Sequence, residues 1–368
     1  MSDTDRRYMA LALTLARRGL GNVWPNPAVG CVIVQNGRIL GRGWTQPGGR
    51  PHAERMALDQ AGATARGATA YVTLEPCAHH GRTPPCAEAL VAAGITRVVS
   101  ALTDPDLRVS GRGHAILRAA GIAVAEAVLE PEARALQQGF LTRVALGRPM
   151  LTLKLASSFD GRIATASGES RWITGPQARA RVHALRASHD AVLVGAGTAR
   201  ADDPQLTVRG LGISRQPVRV IAARYLDLPR GRLAASVPEA PLWLAHGADA
   251  PPDARAFWRD LGADLLEIPQ ENQRLDPAFL LQTLGSKGLT RVFCEGGGQF
   301  AASLLGAGLV DHLIGVTAGV ILGADARPGI GALGLGALAT APRFALSATE
   351  TLGGDVLHHW TRIQSAPA

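Results

Sequence analysis

The chain has 368 residues, 46% of them hydrophobic and 18% charged, with a net charge of +8. That length suits two domains, and that balance excludes a disordered chain. The basic excess suits a phosphorylated partner, while aromatics at only 4% and the lack of a Lys/Arg block weaken a nucleic-acid reading.

All but two of the 38 basic residues are arginine, the exceptions being Lys154 and Lys287. The arginines are spread along the chain, which reads as a general bias. No apolar run reaches the ~18 residues of a membrane helix, and no signal-peptide core follows the N-terminus. A cytoplasmic protein with no membrane partner is expected. Four cysteines are too few for a disulfide scaffold. Cys31 and Cys294 fall in apolar, strand-like runs and read as core, whereas Cys77 and Cys86 lie in a polar, Pro-rich segment.

The spacing of Met9, Leu13 and Ala16 predicts a first helix over 6–18. A strand at 28–34, the turn Asn36-Gly37 and a return at 38–44 form a hairpin. A helix at 52–61 and a strand at 70–74 follow. Pro84-Pro85 opens a helix to 93. Then come a strand at 96–101, a helix at 114–120, a strand at 122–125 and a helix at 132–146. Gly147-Arg148-Pro149 breaks the pattern and separates domains 1–147 and 148–368. In the second domain, strands are expected at 150–156, 190–194, 218–222, 241–244, 291–295 and 312–316, the last continuing to 322. Helices are expected near 177–187, 277–284 and 299–305. Such alternation predicts two α/β domains with some parallel strands. The stretch 329–340 reads as surface loop, and nothing beyond it carries a functional signal.

Chemistry first shows in His52-Ala53-Glu54, Pro76-Cys77 and Cys86. One imidazole and two thiolates suit tetrahedral zinc with a fourth position for water. Glu54, beside His52, can then take the water's proton and return it to a leaving amine, which is the zinc-deaminase arrangement. The eight residues between the cysteines depart from that pattern's usual two. A closed site using His79 or His80, or two unrelated buried thiols, are the alternatives at this point.

The pieces Thr73-Leu74-Glu75-Pro76-Cys77, His79 and Gly81-Arg82-Thr83-Pro84-Pro85-Cys86 resemble the deaminase half of the bifunctional riboflavin-biosynthesis deaminase-reductase family. Pro25-Asn26-Pro27, Gly49-Arg50-Pro51-His52-Ala53-Glu54 and Val109-Ser110-Gly111-Arg112-Gly113 agree, over residues 8–146. The resemblance implies a cytidine-deaminase-like three-layer α/β/α domain, with His52, Cys77 and Cys86 on Zn2+ and Glu54 moving protons. It also implies a diaminopyrimidinone substrate carrying a phosphoribosylamino group, held by Asn26, His79 and Arg82. Thr45 stands where the family usually has His, and Asp106-Leu107 where it has Asn-Pro.

The second half opens with Lys154 inside the apolar run 151–156, where a charge must reach a partner or the mouth of a site. Gly195-Ala196-Gly197-Thr198 and Glu295-Gly296-Gly297-Gly298 are Gly-rich turns between strands and helices, suited to phosphates. No G-x-G-x-x-G fingerprint with a following acid is present, so an ordinary Rossmann dehydrogenase is not supported. Together with Gly168-Glu169-Ser170-Arg171-Trp172-Ile173-Thr174-Gly175, these runs resemble the reductase half of the same family over 150–325.

That resemblance implies a dihydrofolate-reductase-like α/β domain using NADPH. It places Ala156, Trp172, Thr198, Asp202 and Gly297, Gly298, Gln299, Phe300, Ala301, Ala302 and Ser303 at the cofactor. Ser170, Arg186, Leu206, Arg209 and Glu295 fall at the substrate. Lys154 and Glu295 are the candidates for polarising the reacting carbon, and Arg186 and Arg209 for the 5-phosphate. Ala223-Arg224 replaces the family's usual Asp-Ser or Asp-Thr, making Arg224 a candidate for the NADPH 2′-phosphate. Gly319 replaces a usual Pro. A homo-oligomer acting on a small phosphorylated pyrimidine, without nucleic acid, is the expectation. A deaminase with a weakened reductase half, a nucleic-acid base deaminase and a zinc-stabilised binding module are the alternatives.

Overall fold

The computed structural model describes residues 2–78, 84–106 and 110–363. Its contacts divide the chain into two units, Met1–Gly147 and Arg148–Ala368.

The first unit runs α1 (Asp3–Ala16), β1 (Gly30–Gln35), β2 (Arg38–Trp44), α2 (Ala53–Ala61), β3 (Thr69–Val72), α3 (Cys86–Ala92), β4 (Arg97–Ser100), α4 (Arg112–Ala119), β5 (Ala123–Ala125) and α5 (Glu130–Leu146). Its sheet has the order β2-β1-β3-β4-β5. β1 is antiparallel to both neighbours, and β3, β4 and β5 are parallel. Asn36 and Gly37 both take positive φ, 50° and 75°, as a tight hairpin turn needs. Met9, Val32, Ile33, Leu90, Val98 and Leu117 are among its buried core.

Glycines set how close the helices lie. A Cβ on Gly41 would come 2.0 Å from the Ala57 carbonyl oxygen, and one on Gly43 2.1 Å from that of Ala53. α2 therefore rests on the backbone of β2 itself.

The second unit holds β6 (Met150–Ser158), β7 (Arg162–Ala164), α6 (Pro176–Ala187), β8 (Ala191–Gly195), α7 (Ala196–Asp202), β9 (Val218–Ala222), α8 (Arg232–Ala235), β10 (Leu242–His246) and α9 (Pro252–Asp260). There follow β11 (Asp264–Glu267), β12 (Gln270–Glu271), β13 (Arg274–Leu275), α10 (Pro277–Ser286), β14 (Arg291–Cys294), α11 (Gly298–Gly306), β15 (His312–Ala318), β16 (Arg327–Pro328), β17 (Phe344–Leu352) and β18 (Asp355–Arg362). The large sheet has the order β11-β10-β9-β8-β14-β6-β15-β18-β17. Its strands are parallel from β11 to β15, and β18 and β17 add an antiparallel edge. The buried Asp190 carboxylate accepts from the Thr290 amide (2.6 Å), the Thr290 hydroxyl (2.7 Å) and the Arg291 amide (2.9 Å). It thereby ties the start of β8 to the start of β14.

One expectation needs correcting: the strand expected through 322 ends at Ala318. Beyond 340, where the sequence carries no functional signal, β17 and β18 form a long hairpin. β17 is exposed along nearly its whole length, so it has no buried face to mark it in the sequence.

Asp5 joins α1 to the sheet, accepting from Arg97 at 2.7 and 3.0 Å and from the Tyr71 hydroxyl at 3.1 Å. The Arg97 guanidinium holds its carboxyl well below the usual carboxylate range. A lowered folded-state pKa stabilises above the unfolded value of about 3.9 and is lost as pH falls below it. Asp5→Asn should cost about 1–3 kcal/mol at neutral pH. The deficit should shrink as pH drops below about 4, measured by urea unfolding across that range.

Candidate active sites

In the first unit, His52 is the N-cap residue of α2, Glu54 lies in its first turn, and Cys86 begins α3. Cys77 follows β3. The start of α2, the segment after β3 and the start of α3 thus each deliver one donor. His52 Nδ1 lies 3.3 Å from Cys86 Sγ and 3.6 Å from Cys77 Sγ, and the three atoms fall within 4.8 Å of one another. Donors on a tetrahedral zinc, with bonds of about 2.1 and 2.3 Å, stand about 3.6 Å apart. The residues fit that ion. Among the described residues no further His, Cys, Asp or Glu joins the cluster. His79, His80 and Arg82 lie outside the described residues.

The electrostatics suit the same use. Cys77 carries the negative charge of the thiol pair: a hydrogen bond from Cys86, then one from His52, holds it down to about 4 despite burial. The hydrogen bond to Cys77 and burial push Cys86 up. Glu54 is 4% exposed, and burial, followed by the Cys77 charge, pushes its carboxyl up to about 7. A carboxyl so placed can change protonation near neutral pH.

Three further residues shape this site. Asn26 packs on Gly49, where a Cβ would come 1.9 Å from its amide nitrogen, and so sits against the loop leading to His52. Thr45, the departure from the family's His, is buried and accepts from the Val29 amide at 3.0 Å. Glu75 belongs to the Thr73–Cys77 motif, whose pattern alone shows no task for it. Its carboxylate accepts from the amides of Asp104, Gly111, Gly113 and His114 at 2.9–3.3 Å. Two residues from Cys77 in sequence, it ties Asp104 and the start of α4 to the chain that leads into the cysteine cluster.

In the second unit, β6 and β14 pair in parallel up to Leu153 and Cys294. The next residue of each, Lys154 and Glu295, lies at the carboxyl end of that pairing, where ligands bind in open α/β sheets. Lys154 Nζ is 3.8 Å from Glu295 Oε2. Arg186 Nε donates to Glu295 Oε1 at 2.5 Å, and its Nη1 to the Thr207 carbonyl at 2.9 Å. Burial pushes the Glu295 carboxyl up, but Arg186 and Lys154 outweigh it and hold it below its usual value. Burial also pulls the Lys154 ammonium below its usual value.

Arg209 Nη1 donates to Gln205 Oε1 (3.0 Å) and Thr207 Oγ1 (3.3 Å). Leu206 between them is buried, with a left-handed φ of 56°. Ser170 sits half-buried in the loop before α6.

The cofactor candidates gather where β8 and β14, adjacent and parallel, each run into a helix. Gly195 and Gly297 are the N-cap residues of α7 and α11, and neither helix has a side-chain cap. The Gly297 amide donates to Thr198 Oγ1 at 2.8 Å, joining the two turns. A Cβ on Gly298 would come 2.7 Å from the Pro328 carbonyl. Bare, uncapped backbone at these strand ends fits the phosphates of a dinucleotide.

Gly298, Gln299 and Phe300 supply the first-turn amides of α11. The Ala301 amide is already bonded to the Gly297 carbonyl, and the side chains of Ala301 and Ala302 are buried. Ser303 lies farther along the helix, so these last three positions stand behind the first turn. Ala156 is half-buried late in β6. Trp172 is 70% exposed, with the Arg179 guanidinium 4.5 Å from its ring centre. Asp202 ends α7, 3.7 Å from Arg171.

Arg224 is already engaged. It donates to Asp249 Oδ2 at 2.6 and 3.1 Å and to the Gln273 carbonyl at 2.9 Å. A 2′-phosphate would have to displace that ion pair.

A zinc-dependent deaminase unit followed by a reductase unit is the class of protein that this fold and these sites define. Family models agree: the cytidine and deoxycytidylate deaminase zinc-binding region matches residues 2–102, and the RibD C-terminal domain matches residues 149–358. The chain belongs to the RibD family. The riboflavin biosynthesis protein RibD of Escherichia coli (strain K12) is 46% identical, across 96% of this chain and 98% of its own. A solved RibD from Acinetobacter baumannii superposes with a TM-score of 0.88 at 42% identity, covering 98% and 99% of the two chains. A Thermotoga maritima diaminohydroxyphosphoribosylaminopyrimidine deaminase/5-amino-6-(5-phosphoribosylamino)uracil reductase gives 0.85 at 35% identity, with the same coverage.

The donor geometry has a direct consequence. Cys86→Ser should lower the zinc content of dialysed protein at least about tenfold, whereas Glu54→Gln should leave it unchanged. Elemental analysis of both variants checks this.

Proposed function

We infer that this chain catalyses two consecutive steps of riboflavin biosynthesis, with the residues above in the following roles. It deaminates a diaminopyrimidinone bearing a phosphoribosylamino group, then reduces the ribosyl group of the resulting uracil to ribityl. The observation that carries this reading is the joint presence of a His52-Cys77-Cys86 cluster beside buried Glu54 and a Lys154-Glu295-Arg186 cluster beside bare glycine turns. The full-length matches to RibD proteins support it.

Zinc held by His52, Cys77 and Cys86 supplies the Lewis acidity that makes water nucleophilic near neutral pH. Glu54 takes a proton from the attacking water on its carboxylate and returns it to the departing 2-amino nitrogen. A C–O bond forms, the C–N bond breaks, and ammonia leaves. Asn26, His79 and Arg82 hold the pyrimidine and its phosphate.

The α7 and α11 turns would hold NADPH, which would supply the hydride for the second reaction. Thr198 and the amides of Gly298, Gln299 and Phe300 hold its phosphates, with Ala156, Trp172 and Asp202 around it. Opening the ribose ring frees an oxygen that needs a proton, and Lys154 Nζ is the donor. Glu295 keeps that ammonium and Arg186 in place. Arg186 and Arg209 take the 5-phosphate, Arg186 with the Nη2 that Glu295 and Thr207 leave over. Ser170 and the Leu206 backbone complete the substrate contacts. Lys154, Glu295 and Arg186 stand assembled, which supports a working reductase half. The protein acts in the cytoplasm as a homo-oligomer, with no nucleic-acid or membrane partner. Among the described residues no helix is long and apolar enough to cross a membrane.

The test is a coupled assay on the diamino substrate that follows ammonia and NADPH together. Wild type should give both signals. Glu54→Ala should lose both by at least about 100-fold. Lys154→Ala should keep ammonia release and lose NADPH oxidation by about 100-fold or more. Ammonia release unaffected by Glu54→Ala would refute the deaminase assignment.

A further inference from the structure

The reductase site contains a titratable ring that the roles above do not use. His183 lies on α6 one turn before Arg186, so the two side chains leave the same helix face. Its Nδ1 is 3.2 Å from the backbone nitrogen of Arg209. A backbone N–H can only donate. Nδ1 is therefore the unprotonated nitrogen, and Nε2 carries the hydrogen. Burial, then the charges of Arg186 and Arg209, push the ring's pKa below its usual value and keep it neutral; Glu295 and the Thr207 backbone oppose this more weakly.

The arginines on either side are partly committed. Arg186 spends Nε and Nη1 on Glu295 and Thr207, and Arg209 spends Nη1 on Gln205 and Thr207. A phosphate has three terminal oxygens, each able to accept more than one hydrogen bond, so a further donor beside the N–H groups that the two arginines leave over can still be used. A neutral N–H adds one without crowding a third positive charge against the other two.

We propose that His183 is a substrate-binding residue of the reductase site, giving its Nε2–H to a phosphate oxygen between Arg186 and Arg209 while its Nδ1 fixes the Arg209 backbone. This rests on the assignment of those arginines to the substrate's phosphate. Sequence patterns gave no hint of it beyond the three-residue spacing to Arg186.

Two amide replacements separate the functions of the ring. His183→Asn puts an amide oxygen near the position of Nδ1, which keeps an acceptor for Arg209 but removes the distal donor. His183→Gln puts an amide nitrogen near the position of Nε2 and keeps that donor. The full-length protein is given 5-amino-6-(5-phosphoribosylamino)uracil directly, and NADPH oxidation is followed with and without inorganic phosphate as competitor.

His183→Asn should raise KM about 10- to 100-fold with kcat within about threefold. The phosphate inhibition constant should rise in parallel, His183→Gln should recover most of both, and the unfolding midpoints should stay near wild type. If Arg209→Ala raises KM and His183→Asn leaves it within about twofold, the role of His183 falls and the site assignment stands. A common loss of kcat in both amide variants, at unchanged KM, also overturns the role. If Arg209→Ala itself changes neither KM nor phosphate inhibition, the phosphate assignment falls and the proposal falls with it.

Discussion

The geometry of the deaminase site depends on how closely α2 can lie on its sheet. Gly41 and Gly43 present bare backbone to the carbonyls of Ala57 and Ala53, so no side chain stands between helix and strand. α2 carries His52 at its start and Glu54 in its first turn, whereas Cys77 comes from the segment that follows β3. Any residue thicker than glycine under α2 would lift the imidazole and the carboxylate away from the thiolates together. A displacement of about 1 Å is enough to cost a catalytic site most of its activity. The backbone contact of a helix on a strand is therefore as much a part of this site as the groups that do its chemistry.

The second site is held by charge rather than by close packing. Glu295 receives Arg186 on one oxygen and Lys154 near the other, all three with side chains no more than 14% exposed. Removing the carboxylate would leave two cations buried together, which is far costlier than losing one surface ion pair. Glu295 is thus needed for the site to exist before it is needed for any reaction there.

Much of this was legible in the sequence. His52-Ala53-Glu54 and Pro76-Cys77 carry their chemistry in adjacent residues, and the strand-turn-helix rhythm placed most elements within a few residues. What stayed hidden depends on contacts between distant parts of the chain. Glu75 gathers amides from residues 104 to 114, a relation that no local spacing encodes. The sharing of Arg186 between Glu295 and Thr207 likewise exists only once α6, β14 and the 205–209 segment meet. Arg224 looked free beside the cofactor because Asp249, its partner, is 25 residues away. β17 escaped notice for a different reason: a strand exposed on both faces has no alternation of polar and apolar residues to read.

The arginine bias has one last consequence, for labelling chemistry. Guanidinium groups do not lose their proton in ordinary solution and do not react readily with acylating reagents. This chain offers such reagents only two side-chain amines. Lys287 is exposed, with its ammonium 5.2 Å from the Trp243 ring centre. Lys154 is enclosed, and burial makes its free-amine form more accessible than usual. Among side chains, an amine-directed label thus meets one amine on the surface and one enclosed beside Glu295 and Arg186. Protection of the second by NADPH and substrate would report the filling of the proposed reductase site.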